Sequence, residues 1–231
     1  MDANRYTDGR YLDDNPQYHV EDSPWKAAQV LKMLARHPGP VRTVAEVGCG
    51  AGEILRQLQL KLPPETTFAG YEISPQAIAL ARTRENDRLR FHQADLLATD
   101  VEPFDLLLCM DVFEHVEDYI GFVRRLRAKA RRVIFHIPLD LSVQSVLRMT
   151  PIVRTRATLG HLHYFTKETA LLTLADAGYE VVDSFFTAAA NERGRGVRAK
   201  LGRLPRALCA AVSPGLAARL LGGYSLLVLA K

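Results

Sequence analysis

Two hydrophobic rhythms alternate along the chain. Short apolar runs predict buried strands at Thr43–Val47, Thr67–Glu72, Phe104–Met110, Arg132–Ile137, Tyr179–Thr187 and Tyr224–Ala230, with a weaker one at Leu89–Gln93. Between them apolar residues recur at helical spacing. Ser23-Pro24 opens a helix over Trp25–His37, with serine as cap and proline in the first turn. Ile54, Leu58 and Leu62 share one face, and Pro63-Pro64 stops that helix. Ser74-Pro75 opens another, with Ile78 and Ala81 facing inward. Val116, Ile120, Val123, Leu126 and Ala130 line a helix after the fourth strand. Thr166 caps a further helix that ends at Gly178, a residue suited to the left-handed turn there. Strands alternating with helices predict an α/β domain whose parallel sheet is covered on both faces. Ligands of such sheets bind beyond the carboxyl ends of the strands.

Composition narrows the picture only moderately. At 231 residues, 48% hydrophobic and 24% charged, the chain can bury a core without disulfides. No apolar run is long enough for a transmembrane helix. The first twenty residues hold six charged side chains and no apolar block, so no secretory signal is expected. Cys49, Cys109 and Cys209 lie far apart, which fits reduced thiols in a cytoplasmic protein rather than a zinc site. The net charge, 30 − 26 = +4, is too mild to imply nucleic acid. It is uneven, however. From Thr187 onward eight basic residues accompany one acid, Glu192, a balance of +7, which leaves 4 − 7 = −3 for residues 1–186.

The strand ends carry the candidate chemistry. The first strand runs into Glu46-Val47-Gly48-Cys49-Gly50-Ala51-Gly52. Three alternate glycines permit a tight turn and close approach to a ligand. A dinucleotide fingerprint would need glycine where Glu53 stands, and no Gly-Lys-Ser/Thr phosphate loop is present. The acid before the glycines suits a cationic ligand rather than a pyrophosphate. Glu72 ends the second strand, 24 residues beyond Gly48, where a carboxylate can accept both hydroxyls of a ribose. Asp95, after the third strand, can accept from an exocyclic amine, or else cap backbone amides.

Together these residues resemble the class I S-adenosylmethionine-dependent methyltransferases. Asp111-Val112-Phe113-Glu114-His115-Val116, Gly160-His161-Leu162-His163-Tyr164-Phe165-Thr166 and Ala177-Gly178-Tyr179 further resemble the ubiquinone-type O-methyltransferase branch. The likeness spans about residues 40–190 and the last strand. It implies a Rossmann-like, doubly wound seven-stranded sheet, mostly parallel, with Tyr224–Ala230 antiparallel. It implies S-adenosyl-L-methionine as cofactor. Glu46 would meet the methionine amino end, and Gly48, Cys49, Gly50 and Gly52 would line the cofactor. Glu72 with Ile73 would hold the ribose, Asp95 with Leu96 would flank adenine, and Met110 would close the wall. The branch also has an E-x-x-E-H group that can bind a divalent cation. Here Asp111, Glu114 and His115 take its places with a shorter first arm. On their own they read as acids at a helix start, favoured by its dipole, and no metal is assigned.

Methyl transfer to a hydroxyl needs alignment and a general base. His115, just past the fourth strand, and His163 are the candidate bases, with His161 behind them. His136, inside an apolar strand, reads as a core histidine. An N/D-P-P-Y/F sequence for amine methylation is absent after the fourth strand, and Cys109 lacks the preceding proline of a cytosine C5 nucleophile. The expected protein is a single domain, 1–231, that methylates a small molecule, most simply at oxygen. An RNA or protein methyltransferase, or a non-catalytic cofactor-binding protein, are the alternatives. Residues 1–40 form a lid or packing helix, with Tyr11, Tyr18, His19, Trp25 and Lys26 placed to close the site. Residues 138–165 and 192–223 are elaborations near the acceptor or on the surface. Leu204-Pro205 and Ser213-Pro214 start helices in the second, whose basic amphipathic stretch 193–222 offers a peripheral membrane contact.

Overall fold

The computed structural model describes residues 20–188, 209 and 211–231. Seven strands form one sheet in the order β3-β2-β1-β4-β5-β7-β6. They are β1 (Thr43–Val47), β2 (Thr67–Glu72), β3 (Leu89–Gln93), β4 (Leu106–Met110), β5 (Val133–Leu139), β6 (Val181–Thr187) and β7 (Tyr224–Ala230). The neighbours from β3 across to β5 are parallel, and β7 runs antiparallel to both β5 and β6. The fold class read from the chain is therefore the one observed.

The helices are α1 (Ser23–Arg36), α2 (Glu53–Gln59), α3 (Pro75–Arg82), α4 (Tyr119–Leu126), α5 (Val143–Arg148), α6 (Thr150–Thr158), α7 (Lys167–Asp176) and α8 (Pro214–Leu221). One face of the sheet packs Leu107, Cys109, Phe135 and Leu226 against Val123 of α4, Leu174 of α7 and Ala217 of α8. The other packs Val44, Leu108, Ile134 and Leu227 against Val30 of α1, Leu55 of α2 and Ile78 of α3.

Element boundaries moved where local bonding differs from the pattern. Ser23 is the first helical residue rather than the cap of α1. Ser74 does cap α3, accepting from the Ala77 amide at 3.3 Å, and Thr166 caps α7 with Thr169 in a capping box. The helix expected from Val116 to Ala130 is split. A 3₁₀ turn, Phe113–His115, precedes extended Val116, and Asp118 then caps α4. Phe104 makes only a single bridge to Ala130 before β4 begins at Leu106. β5 continues through Pro138 because β4 pairs only as far as Met110↔His136. Proline's missing N–H is thus harmless on that side. No helix among the described residues is long and apolar enough to cross a membrane.

Candidate active site

The carboxyl ends of β1, β2 and β4 converge on the glycine turn between β1 and α2. Gly48, Gly50 and Gly52 all have positive φ, at 65°, 53° and 76°. A Cβ on Gly52 would also overlap the Phe91 ring, so this turn requires glycine twice over. The amides of Gly48 and Cys49 bond to the Tyr71 carbonyl at 2.8 and 3.2 Å, which ties the turn to β2. Glu53, standing where the dinucleotide fingerprint has glycine, is buried and bonds to Arg56 and Arg84, each at 2.8 Å. Burial opposes its charge, but those hydrogen bonds bring its pKa down to about 2.

Two carboxylates face this turn. Glu72 accepts from the Gly50 amide at 3.0 Å with one oxygen, and from Ile73 and Ser74 at 2.8 and 2.9 Å with the other. It is fixed at the crevice by backbone alone. Burial still raises its pKa against those three bonds. Glu46 is 1% exposed and its Oε2 has no hydrogen-bond partner. Desolvation raises its pKa to about 8, opposed by Lys26 and reinforced by Glu72. A buried carboxyl with an orphaned oxygen invites a cationic hydrogen-bond donor.

Of the remaining residues expected around the cofactor, Leu96 and Met110 are buried, Cys49 is a buried thiol whose pKa burial raises, and Ile73 is exposed. Asp95 accepts from the Leu97 amide at 2.9 Å, so it caps a 3₁₀ turn. The glycine turn, the orphaned Glu46 and the anchored Glu72 suit S-adenosylmethionine, which presents an ammonium, a ribose and a sulfonium.

Above β4 a charged chain runs from α1 across the sheet. Lys26 Nζ lies 2.6 Å from Asp111, whose other oxygen lies 2.6 Å from His136 Nδ1. His136 Nε2 is 2.9 Å from Thr187 Oγ1. His136 is thus the satisfied core histidine expected. Asp111 has φ 58°, and burial would raise its pKa, but His136 and Lys26 hold it well below the usual carboxylate range. The Trp25 ring lies edge-on to His136 with centroids 6.0 Å apart. Trp25 and Lys26 thus pack against His136 and Asp111; Tyr11, Tyr18 and His19 lie outside the described residues.

The histidines form a second group. The Leu162 and His163 amides bond to the Glu114 carbonyl at 2.8 and 3.1 Å and bring residues 160–165 against the end of β4. His161 Nδ1 lies 2.7 Å from Asp140 Oδ2, and its ring stands edge-on to His115 at 4.8 Å. His163 Nε2 donates to the Val116 carbonyl at 2.9 Å, and its ring packs 4.2 Å from Tyr119. Its orientation is set by the backbone. Glu114 is fully buried with neither oxygen bonded, and burial raises its pKa well above normal, Asp111 adding to the effect. Ligand atoms of Glu114, His115 and His161 lie within 4.8 Å of one another and could converge on a divalent cation. Asp111, three residues before Glu114 in the D-x-x-E-H group, is engaged by Lys26 and His136. Asp140 was missed in the sequence, since nothing local marks its pairing with a histidine 21 residues on.

Residues 45–132 match the family described as a methyltransferase domain. A trans-aconitate 2-methyltransferase of Deinococcus radiodurans is 32% identical over 114 residues, 48% of this chain and 43% of that protein. The chain thus spans less than half the length of that curated relative. Among solved structures, the plantazolicin methyltransferase BpumL superposes with TM-score 0.63 at 15% identity, covering 99% of this chain and 92% of that one. The N-methyltransferase NodS of Bradyrhizobium japonicum, solved with S-adenosylhomocysteine, superposes with TM-score 0.59 at 18% identity, covering 96% and 94%. These likenesses do not select the ubiquinone-type branch over its relatives. Residues 45–132 thus resemble a methyltransferase domain, and the sheet around them has the class I Rossmann-like fold of those solved methyltransferases.

Proposed function

We propose that the chain transfers a methyl group from S-adenosylmethionine to a hydroxyl of a small molecule. The observation that carries this reading is the pair of carboxylates at the glycine turn, Glu46 with an orphaned buried oxygen and Glu72 held by three amides. Glu46 receives the ammonium of the methionine end, Glu72 the ribose hydroxyls, and Leu96 with Asp95 borders the adenine. The cofactor supplies an activated methyl; the chain supplies alignment and a water-poor site. The acceptor oxygen attacks the methyl carbon as the carbon–sulfur bond breaks, and the hydroxyl proton passes to a histidine. His115 fills that role in this reading. It is partly exposed beyond β4 and has His161, oriented by Asp140, packed on its ring. His163, with one nitrogen committed to the Val116 carbonyl, positions the loop rather than taking the proton.

The first test is thermal unfolding with S-adenosylhomocysteine, with NAD and ATP as controls. Ligand at about 100 times its Kd stabilises by about 2.7 kcal/mol, a rise of roughly 5–10 °C for a chain of this size. A rise with the sulfur nucleoside alone supports the reading; no rise, or one with NAD instead, overturns it. Turnover on a panel of phenols and carboxylic acids then tests oxygen as the acceptor.

A further inference from the structure

α6 buries none of its nine residues. A helix this short is not stable in water by its own hydrogen bonds and ordinarily persists by packing an apolar face. Here the large aliphatic side chains stay outside. Leu147 of α5 is 80% exposed and Val153 of α6 60%; Val143, Val146 and the intervening Met149 are each half exposed. α8, which packs on α5, leaves Leu216 and Leu220 exposed as well. A group of this kind on one end of a domain marks an interaction surface.

Its charge says what it meets. Between Asp140 and Glu168 the chain has no acidic residue, but it has Arg148, Arg154, Arg156 and Lys167. The three arginines are exposed. Aliphatic side chains interspersed with cations suit the boundary of an anionic bilayer, where the former enter the acyl region and the latter meet phosphates. A second copy docking through the same face would set arginines against arginines. No described helix can cross a membrane, so such contact is peripheral.

We propose that α5, α6 and the adjoining α8 form a docking surface for an anionic lipid bilayer. A cavity of about 580 Å³ opens beside α8, lined by Leu139, Leu141, Phe186 and Leu216 together with Lys167 and the Glu168–Arg219 ion pair. Leu139 and Leu141 flank Asp140, the residue that holds His161. Docking therefore brings this cavity to the lipid. The surface is distinct from the basic stretch 193–222, most of which lies outside the described residues.

Flotation of the full chain with phosphatidylcholine vesicles, with and without phosphatidylglycerol, tests this without cofactor, so its outcome is separate from that of methyl transfer. Binding is expected only to the phosphatidylglycerol vesicles, falling with salt. Replacing Arg148, Arg154 and Arg156 by Gln should weaken it by about fivefold per arginine. Leu147→Glu with Val153→Glu should abolish it. These side chains are exposed, and an unchanged melting temperature with an unchanged response to S-adenosylhomocysteine checks that each variant folds. Absence of binding by the parent chain overturns the proposal. So does binding unaffected in both variants, which would assign the contact elsewhere, or a stable dimer that the Leu147→Glu change dissociates.

Discussion

Glu46 gives a direct handle on the cofactor site through protons. Burial raises its pKa to about 8, so near neutrality its carboxyl is mostly protonated. At pH 7 a tenfold ratio, about nine chains in ten, hold that proton. A cation lodged against the group favours its ionised form and lowers the pKa. S-adenosylhomocysteine carries an ammonium at its amino-acid end, so its binding at pH 7 should release about 0.9 proton from the chain. The sign follows from the direction of the shift. The free chain holds more protons than the complex, so affinity rises with pH, by about tenfold per unit below pH 8, and levels off above it. Titration calorimetry in two buffers with different ionisation heats measures the release. Glu46→Gln, which keeps the shape of the neutral acid, should reduce the release to near zero. Equal binding heats in the two buffers for the parent chain would refute the placement of the ammonium at Glu46.

Four further outcomes follow from the site. Glu72→Ala should weaken S-adenosylhomocysteine binding more than about tenfold, because it removes the proposed ribose acceptor and frees three amides at once; an unchanged Kd would move the ribose elsewhere. His115→Ala should lower turnover while the thermal response to S-adenosylhomocysteine survives; untouched turnover would remove His115 as the base. Lys26→Met should destabilise the fold by about 1–3 kcal/mol, since Asp111, partly exposed, would keep only His136 as its partner, and urea unfolding would show it. Gly70→Ala should cost about 1–3 kcal/mol, because the added Cβ overlaps the Phe91 ring and meets the Cys49 sulfur at 2.7 Å; a melting temperature within a degree of the parent would show that the Phe91 ring can move aside.

The strands and the glycine turn were legible because they are local. Apolar runs set β1, β2 and β4, and the alternate glycines at 48, 50 and 52 declare a turn that few other residues could make. The end of β5 was misjudged because Pro138 reads as a strand stop; its tolerance depends on β4 having already ended, a fact of pairing rather than sequence. The break after His115 was hidden for a similar reason. Val116, Ile120 and Val123 keep a helical rhythm, but Glu114 gives its carbonyl to Leu162 and His163, which no local pattern announces. Long-range pairs decided the site as well. Lys26 with Asp111, and Asp140 with His161, join residues 85 and 21 positions apart. α5 and α6 read only as an elaboration over 138–165, without helices, because few of their residues are turned to the core and the usual amphipathic signal carries no inward face.

The insertion of β7 between β5 and β6 sets a timetable for folding. β5 borders β4 early in the chain, yet its other edge waits for residues 224–230, and β6 has no partner until the same strand arrives. Until then Val133–Leu139 presents an unpaired apolar edge, the kind of template on which chains aggregate. A non-local antiparallel strand closing over that edge is the slow step expected of such a topology. Growth temperature and chaperone supply during synthesis should therefore govern the yield of folded protein more strongly than the stability of the finished sheet would suggest.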